Sequence, residues 1–354
     1  MERLIAAADN EGHVRRPFVI LSDTQIGSHG VIGDLLARTL EGAGLEVTHL
    51  PFDPAGGHAA VAPGSTVVHN TIGPRLQPRA GCWNVALVHH EWSRYPAAWV
   101  RRLNGFDEVW VTTDFVRRTL LLSGVAVPVL LKRPALDLED IPRKTSYEAT
   151  GPLRLLACGA PHFRKGFHLL MEGFMRAFPS DGVAQLVIHT SAGHGWTSPR
   201  ADITIADQYL TRPAMLGQYR GFDFFVSVSL GEGLGLPVAE AILAGVPVVT
   251  NDWGGHTSLL TPGGFLRLPH RVVPQPYCSH PDYYAPGQQC ALSRVSQIAQ
   301  TLVMAAKTSA GDRRRMATAA RRALLRRYGQ RIAMRGFEAE RARQALDRSH
   351  HTTR

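Results

Sequence analysis

The stretch GEGLGLPVAEAILAGVPVVTNDWGG, residues 231–255, decides how the rest of the chain is read. Glu232 and Glu240 stand in it with seven residues between them, and Glu232 opens the turn Gly233-Leu234-Gly235-Leu236-Pro237. Glycine lets backbone amides approach an anion closely, and proline suits a first helical turn. The run Pro237–Ala244 predicts a short helix and Pro247–Thr250 a buried strand. Eight residues make about two helical turns, so a helical path would keep both carboxylates on similar sides. A carboxylate, a turn of bare amides and a helix N-terminus together suit a sugar beside a phosphate.

Upstream of this stretch the pattern alternates. Phe18–Leu21, Glu46–Leu50, Thr66–His69, Asn84–Val88, Glu108–Val111 and Pro128–Leu131 read as strands, with helices such as Ala97–Leu103 and Phe115–Ser123 between them. The first strand leads into a loop containing Gly27-Ser28-His29-Gly30, then a helix ending at glycine. Alternation of this kind implies a parallel sheet covered on both faces. Pro134–Pro152 has no sustained period and reads as a linker. The pattern then restarts with Leu153–Ala157, the helix Gly166–Phe178, Gln185–Thr190, Ile203–Ala206, Phe224–Ser229, Pro247–Thr250 and Phe265–Leu268. Val272–Cys290 interrupts it as a long loop rich in Pro and Tyr, and four helical segments follow from Ser293 to Asp347. The expected fold class is α/β: a Rossmann-like domain over residues 1–135, a linker at 136–152, a second over 153–328, and a basic helical tail at 329–354 packing on the first domain. Such a pair places its natural ligand site in the cleft between the halves.

Composition supports a globular chain: 354 residues, 44% hydrophobic and 19% charged. The start, MERLIAAADNEGHVRR, is acidic as well as basic and has no long apolar core, so a signal peptide is not expected. Four dispersed cysteines fit a reducing cytoplasm. The net charge of +10 suggests nucleic acid until it is located. Residues 311–354 hold thirteen Arg against Asp312, Glu338, Glu340 and Asp347, so the basicity belongs to the tail. A solvated helix face or contact with an anionic membrane explains it, whereas no aromatic interleaving points to nucleic acid.

The loop PHFRKGF brings Arg164 and Lys165 to the start of a helix, where side-chain cations and unpaired amides converge on a diphosphate. Glu232 would accept bonds from sugar hydroxyls and oppose positive charge at an anomeric carbon. Glu240 would hold a ribose diol. With these residues in view, GEGLGLPVAEAILAGVPVV resembles the signature of the family 4 glycosyltransferases, retaining enzymes of the two-Rossmann GT-B fold. FRKGFHLLMEGF and DEVWVTTDFVRRTLLLSGV resemble two further segments of that family, in the right order. The resemblance implies donor binding by Arg164, Lys165, Gly233, Leu234, Gly235, Leu236 and Glu240, with Gly27, Ser28 and Gly30 closing over the diphosphate. It implies catalytic roles for Glu232, Lys165 and His89, the last ending the strand VALVH near the transferred sugar. It also implies a nucleoside diphosphate sugar, linked to UDP or GDP, an acceptor hydroxyl on a glycan, lipid-linked sugar or small natural product, and no metal or other cofactor.

Three positions depart from the family. Gly159 stands where many relatives carry a phosphate-binding Arg, Lys132-Arg133-Pro134-Ala135 replaces an Asn-Gly turn, and His256-Thr257-Ser258 replaces a Glu after Gly254-Gly255. Competing readings are a sugar phosphorylase or nucleotide-sugar hydrolase on the same fold, and a catalytically silent binding module. Cys278, His280 and Cys290 match no zinc spacing, and no G-x-S-x-G elbow supports a Ser-His-Asp hydrolase.

Overall fold

The computed structural model describes residues 17–23, 28–53, 61–148, 150–190, 196–276 and 283–338. It divides into two compact units: Met1–His89 with Tyr95–Leu138 and Arg327–Arg354, and His90–Arg94 with Glu139–Arg326.

The first unit is built on a six-stranded parallel sheet in the order β2-β1-β3-β4-β5-β6. The strands are β1 Phe18–Ser22, β2 Val47–Pro51, β3 Thr66–Asn70, β4 Trp83–Val88, β5 Glu108–Val111 and β6 Val129–Leu131. β1, β3 and β5 are buried at every residue, as strands covered on both faces must be, and so they read as near-continuous apolar runs. The crossovers are α1 Ser28–Gly42, α2 Ala97–Leu103 and α3 Asp114–Leu122. Described residues 327–338 are grouped with this unit. Tyr328 donates to the Thr112 carbonyl (2.9 Å), and Lys132 donates to the Gly336 carbonyl (3.0 Å) while lying over the Trp110 and Phe337 rings. The unusual Lys132-Arg133-Pro134-Ala135 segment is therefore packed, with Ala135 N bonded to Thr39 Oγ1 (2.9 Å).

The second unit has its own parallel sheet in the order β12-β11-β10-β7-β8-β9. Its strands are β7 Leu153–Cys158, β8 Ala184–His189, β9 Ile203–Ala206, β10 Phe224–Ser227, β11 Val248–Thr250 and β12 Phe265–Arg267. The helices are α4 Phe167–Ala177, α5 Arg212–Gln218, α6 Leu236–Leu243, α7 Val295–Lys307 and α8 Ala310–Tyr328, the last running into the residues grouped with the first unit. Leu155, Ala157, Leu170, Phe174, Val226 and Val249 centre its core, and Ile298 and Leu302 of α7 close it.

Two expectations need correction. The stretch Val272–Cys290 is not wholly a loop, because its ends pair antiparallel as β13 Arg271–Pro274 and β14 Gln289–Leu292, with Val273 opposite Cys290. Pro274 masked the first strand, although a two-stranded ribbon has outer edges where a missing N–H costs no ladder bond. Cys278 and His280 lie outside the described residues. The expected linker is also anchored: Leu136 and Ile141 are buried, Lys144 N donates to the Ala244 carbonyl (2.8 Å), and Tyr147 donates to the Gly245 carbonyl (2.7 Å). Its irregular backbone satisfies its polar groups on the body of the protein.

Candidate functional site

Two loops at the carboxyl ends of neighbouring strands build the site, the usual place for ligands in an open α/β sheet. After β7 the chain makes a 3-10 turn, Phe163–Lys165, and passes through Gly166 into α4. Gly166 is left-handed (φ 67°), and a Cβ there would come within 2.9 Å of the Val228 carbonyl. Arg164 and Lys165 thus sit in the turn before the helix, one residue short of the expected start. After β10 the second loop returns beside it. Leu230 N donates to the Arg164 carbonyl (2.8 Å), and Arg164 Nη1 donates to the Gly231 carbonyl (2.6 Å).

These bonds bring the charges together. Lys165 Nζ lies 2.6 Å from Glu232 Oε1, Arg164 Nη1 3.3 Å from Glu232 Oε2, and Arg164 Nη2 3.3 Å from Glu91 Oε1. Burial works to raise the Glu232 carboxyl, but Lys165 and then Arg164 outweigh it and hold the pKa at about 2. Burial pushes Lys165 below its ordinary value, with Glu232 opposing the shift. Glu91 arrives on residues 90–94, which belong to this unit. Trp92 there packs against Leu230 and Cys290, and Gln289 N donates to Ser93 Oγ (2.8 Å). Nothing local in the sequence marks Glu91, because its partner Arg164 is distant in the chain.

A carboxyl held low in the fold stabilises it above the unfolded value near 4.5, and that stability is lost as pH falls toward about 2. Glu232→Gln is therefore expected to flatten the pH dependence of unfolding between those limits. Urea titrations of both proteins at several pH values would show it; parallel curves would mean that Glu232 is not the responsible carboxylate.

Gly159 acquires a local reason. It adopts φ 149°, and a Cβ there would meet Lys165 Cε at 2.9 Å, so a side chain at 159 competes with the Lys165 stem. The site is organised around Lys165 in this chain.

The two glutamates do not share a helix. Glu232 is in the loop, Gly235 (φ 83°) caps α6, and only Glu240 lies on the helix. Leu234 and Leu236 turn their side chains into the core, leaving backbone at the turn, and Gly255 N donates to the Glu232 carbonyl (2.6 Å). Glu240 joins another buried group, with Oε2 accepting from Tyr219 Oη (2.6 Å) and Oε1 lying 2.6 Å from Arg212 Nη1. Arg212 also grips Glu139 at 2.6 and 2.9 Å. Burial raises the Glu240 pKa, against the pull of Arg212. Arg212 and Tyr219 escaped the sequence reading, since nothing local marks them as partners of a residue more than twenty positions away. His256 is wholly buried, with Nε2 2.8 Å from the Asn251 carbonyl, and burial drives its pKa down.

In the first unit, Ser28 and Gly30 belong to the opening turn of α1 and not to a loop, while Gly27 lies outside the described residues. His89 follows β4 with both ring nitrogens buried and without a hydrogen-bond partner among the described residues, its ring edge-on to His29 at 5.4 Å. Burial, then the neighbouring His29, lowers its pKa to about 3, so it is neutral near pH 7. A Ser-His-Asp line does occur here: His49 Nε2 is 2.8 Å from Ser22 Oγ and His49 Nδ1 is 2.8 Å from Asp34. Ser22 is fully buried beneath Gly33, where a Cβ would sit 2.2 Å from its hydroxyl, so the line braces β1, β2 and α1 and exposes no nucleophile. No cluster of metal-ligating side chains occurs among the described residues.

Two Rossmann-like parallel sheets, the second with a cationic turn and a glycine-rich carboxylate loop at its strand ends, make a fold of the GT-B type. Residues 152–274, roughly a third of the chain, match the family model described as glycosyl transferases group 1. Solved structures agree in fold. TarM of S. aureus, as a mutant in complex with fondaparinux, alpha-GlcNAc-glycerol and UDP, is similar at TM-score 0.59 and 13% identity, over 77% of this chain and 54% of that one. The chain thus spans about half the length of that relative. Sucrose-phosphate synthase of Thermosynechococcus elongatus is similar at TM-score 0.69 and 16% identity (94% and 100% covered). HepE of Anabaena, in complex with UDP and glucose, is similar at TM-score 0.62 and 13% identity (93% and 100% covered). No curated protein sequence matches the chain. The family match covers that one segment, residues 152–274, and the structural likeness is one of fold.

Proposed function

We propose that the protein is a retaining glycosyltransferase of the family 4 type, moving a sugar from a nucleoside diphosphate donor to an acceptor hydroxyl in the cytoplasm. One observation carries the reading: Arg164, Lys165 and Glu232 form a buried charge knot beside a glycine-rich turn, inside the segment that matches the family model. Lys165 and Arg164 bind the diphosphate and neutralise the charge that grows there as the sugar leaves. The backbone of residues 233–236 lies along sugar and phosphate, and Glu232 takes the sugar hydroxyls. Each Glu240 oxygen keeps a lone pair beyond its protein donor, which suits a ribose diol. His89, neutral and without a hydrogen-bond partner among the described residues, and the opening turn of α1 at Ser28 and Gly30 are the first unit's own candidate residues. The departing phosphate takes the acceptor proton on the face from which it leaves, so configuration is kept. With two cations in place the reaction needs no divalent metal. UDP-sugars are the first donors to try, because structurally similar proteins were solved with UDP.

Titration calorimetry with UDP and GDP, followed by a donor screen read by mass spectrometry in EDTA, tests the reading. Saturable binding of one nucleotide, and transfer from one of its sugars with EDTA present, are expected. No binding to any nucleoside diphosphate would refute it.

A further inference from the structure

The first unit carries a surface that donor chemistry does not use. α2 turns Trp99, Val100 and Leu103 inward and leaves Arg101 and Arg102 outside. α3 turns Val116, Thr119 and Leu120 inward and leaves Arg117, Arg118, Leu121 and Leu122 outside. Leu121 is 49% and Leu122 79% exposed, an unusual position for two adjacent leucines. Both helices are crossovers between consecutive neighbours in one sheet, β4 to β5 and β5 to β6, and right-handed crossovers in the same direction lie on the same face. Their ends are tied together: Asn104 Nδ2 donates to the Gly124 carbonyl (3.3 Å), and Ala126 N donates to Asn104 Oδ1 (2.8 Å).

The charge on this face is positive on balance. Asp114 is the single acid on the two helices, and it pairs with Arg133 at 3.1 Å. Asp107, in the turn between α2 and β5, accepts from Asn84 N at 2.6 Å. Four arginines around two projecting leucines therefore face outward without acids of their own helices to answer them.

We propose that this face docks the protein on an anionic lipid bilayer. Arginine guanidinium groups on flexible stems match a fluid layer of headgroup phosphates, and the leucine pair reaches the acyl boundary between them. Two helices side by side make a ridge, not a groove, and two leucines are far less apolar surface than a stable protein interface buries. The basic face of α8 lacks the second element. It exposes Arg314, Arg315, Arg322 and Arg326, but no large apolar side chain stands exposed among the described residues 310–328.

Sedimentation of the full chain with vesicles of phosphatidylglycerol in phosphatidylcholine, against phosphatidylcholine alone, tests the proposal. Binding to the anionic vesicles is expected. Arg101→Glu with Arg118→Glu should weaken it about 30-fold or more, since each basic residue near the surface contributes roughly a factor of five. Leu121→Ser with Leu122→Ser should weaken it at constant charge, whereas Arg322→Glu with Arg326→Glu should leave it within about threefold. Arg101→Gln with Arg118→Gln keeps side-chain length and polarity, and thermal melts of all variants should overlay the parent. Failure to bind anionic vesicles at ~0.1 M salt would overturn the proposal. So would loss of binding in the α8 variant alone, or no response to the leucine changes.

Discussion

Lys165→Ala is expected to lower sugar transfer by about 10²–10³-fold, mostly in kcat, the range seen when one preorganised donor to developing charge is removed. Lys165 Nζ is the closest cation to Glu232, at 2.6 Å, and with Arg164 it makes the positive side of the knot. Arg164 is committed elsewhere, to the Gly231 carbonyl and to Glu91, so it cannot move fully into the vacated place. Among the described residues the change leaves Glu232 paired with Arg164 alone, at 3.3 Å, and some loss of stability should accompany the loss of rate. Steady-state kinetics on the productive donor, with a thermal melt to correct for unfolded protein, measure both. A near wild-type rate would remove Lys165 from the mechanism.

Gly255→Ala should be the most damaging single methyl in the site. Its Cβ would lie 1.8 Å from the Gly233 carbonyl oxygen and 2.8 Å from that of Glu232, both backbone atoms that cannot rotate away. The Gly255 amide is meanwhile bonded to the Glu232 carbonyl at 2.6 Å. The turn must open or that bond must break, and overpacking of this kind costs about 3 kcal/mol or more. Chemical denaturation should show it as a lower midpoint, with donor affinity lost in the fraction that stays folded. Gly263→Ala is a fair comparison, since no atom lies within 4 Å of its Cβ and only its positive φ is strained. Equal effects at the two positions would show that crowding at Gly255 is not the cause.

How much was legible depended on distance along the chain. The strands were readable because parallel strands covered on both faces are short apolar runs, as Phe18–Leu21 and Asn84–Val88 are. Glu232 and Lys165 could be picked out as candidates because each sits in a local pattern of glycine and charge, and the fold brings them within 2.6 Å. What the spacing of Glu232 and Glu240 suggested was wrong in geometry: the chain stays irregular until Leu236, so helical arithmetic begins four residues too late for Glu232. Glu91, Arg212 and Tyr219 gain their meaning from contacts across the sheet, and no periodicity carries that information. Gly159 looked like a lost ligand. Beside the Lys165 stem, it is what that side chain requires.

The pairing of Arg164 and Lys165 with Glu91 and Glu232 has a consequence for selectivity among anions. Two bare cations in a turn would hold inorganic phosphate or sulfate from the surrounding medium. Two cations already answered by two carboxylates present no net local charge, so an anion gains only by exchange, giving up one partner for another. A small anion has little else to offer in that exchange. A nucleoside diphosphate sugar brings a ribose, a base and sugar hydroxyls, and those extra contacts can cover the cost of re-partnering. In the proposed donor site, the resting neutrality of the knot would act as a filter, admitting anions according to what is attached to them.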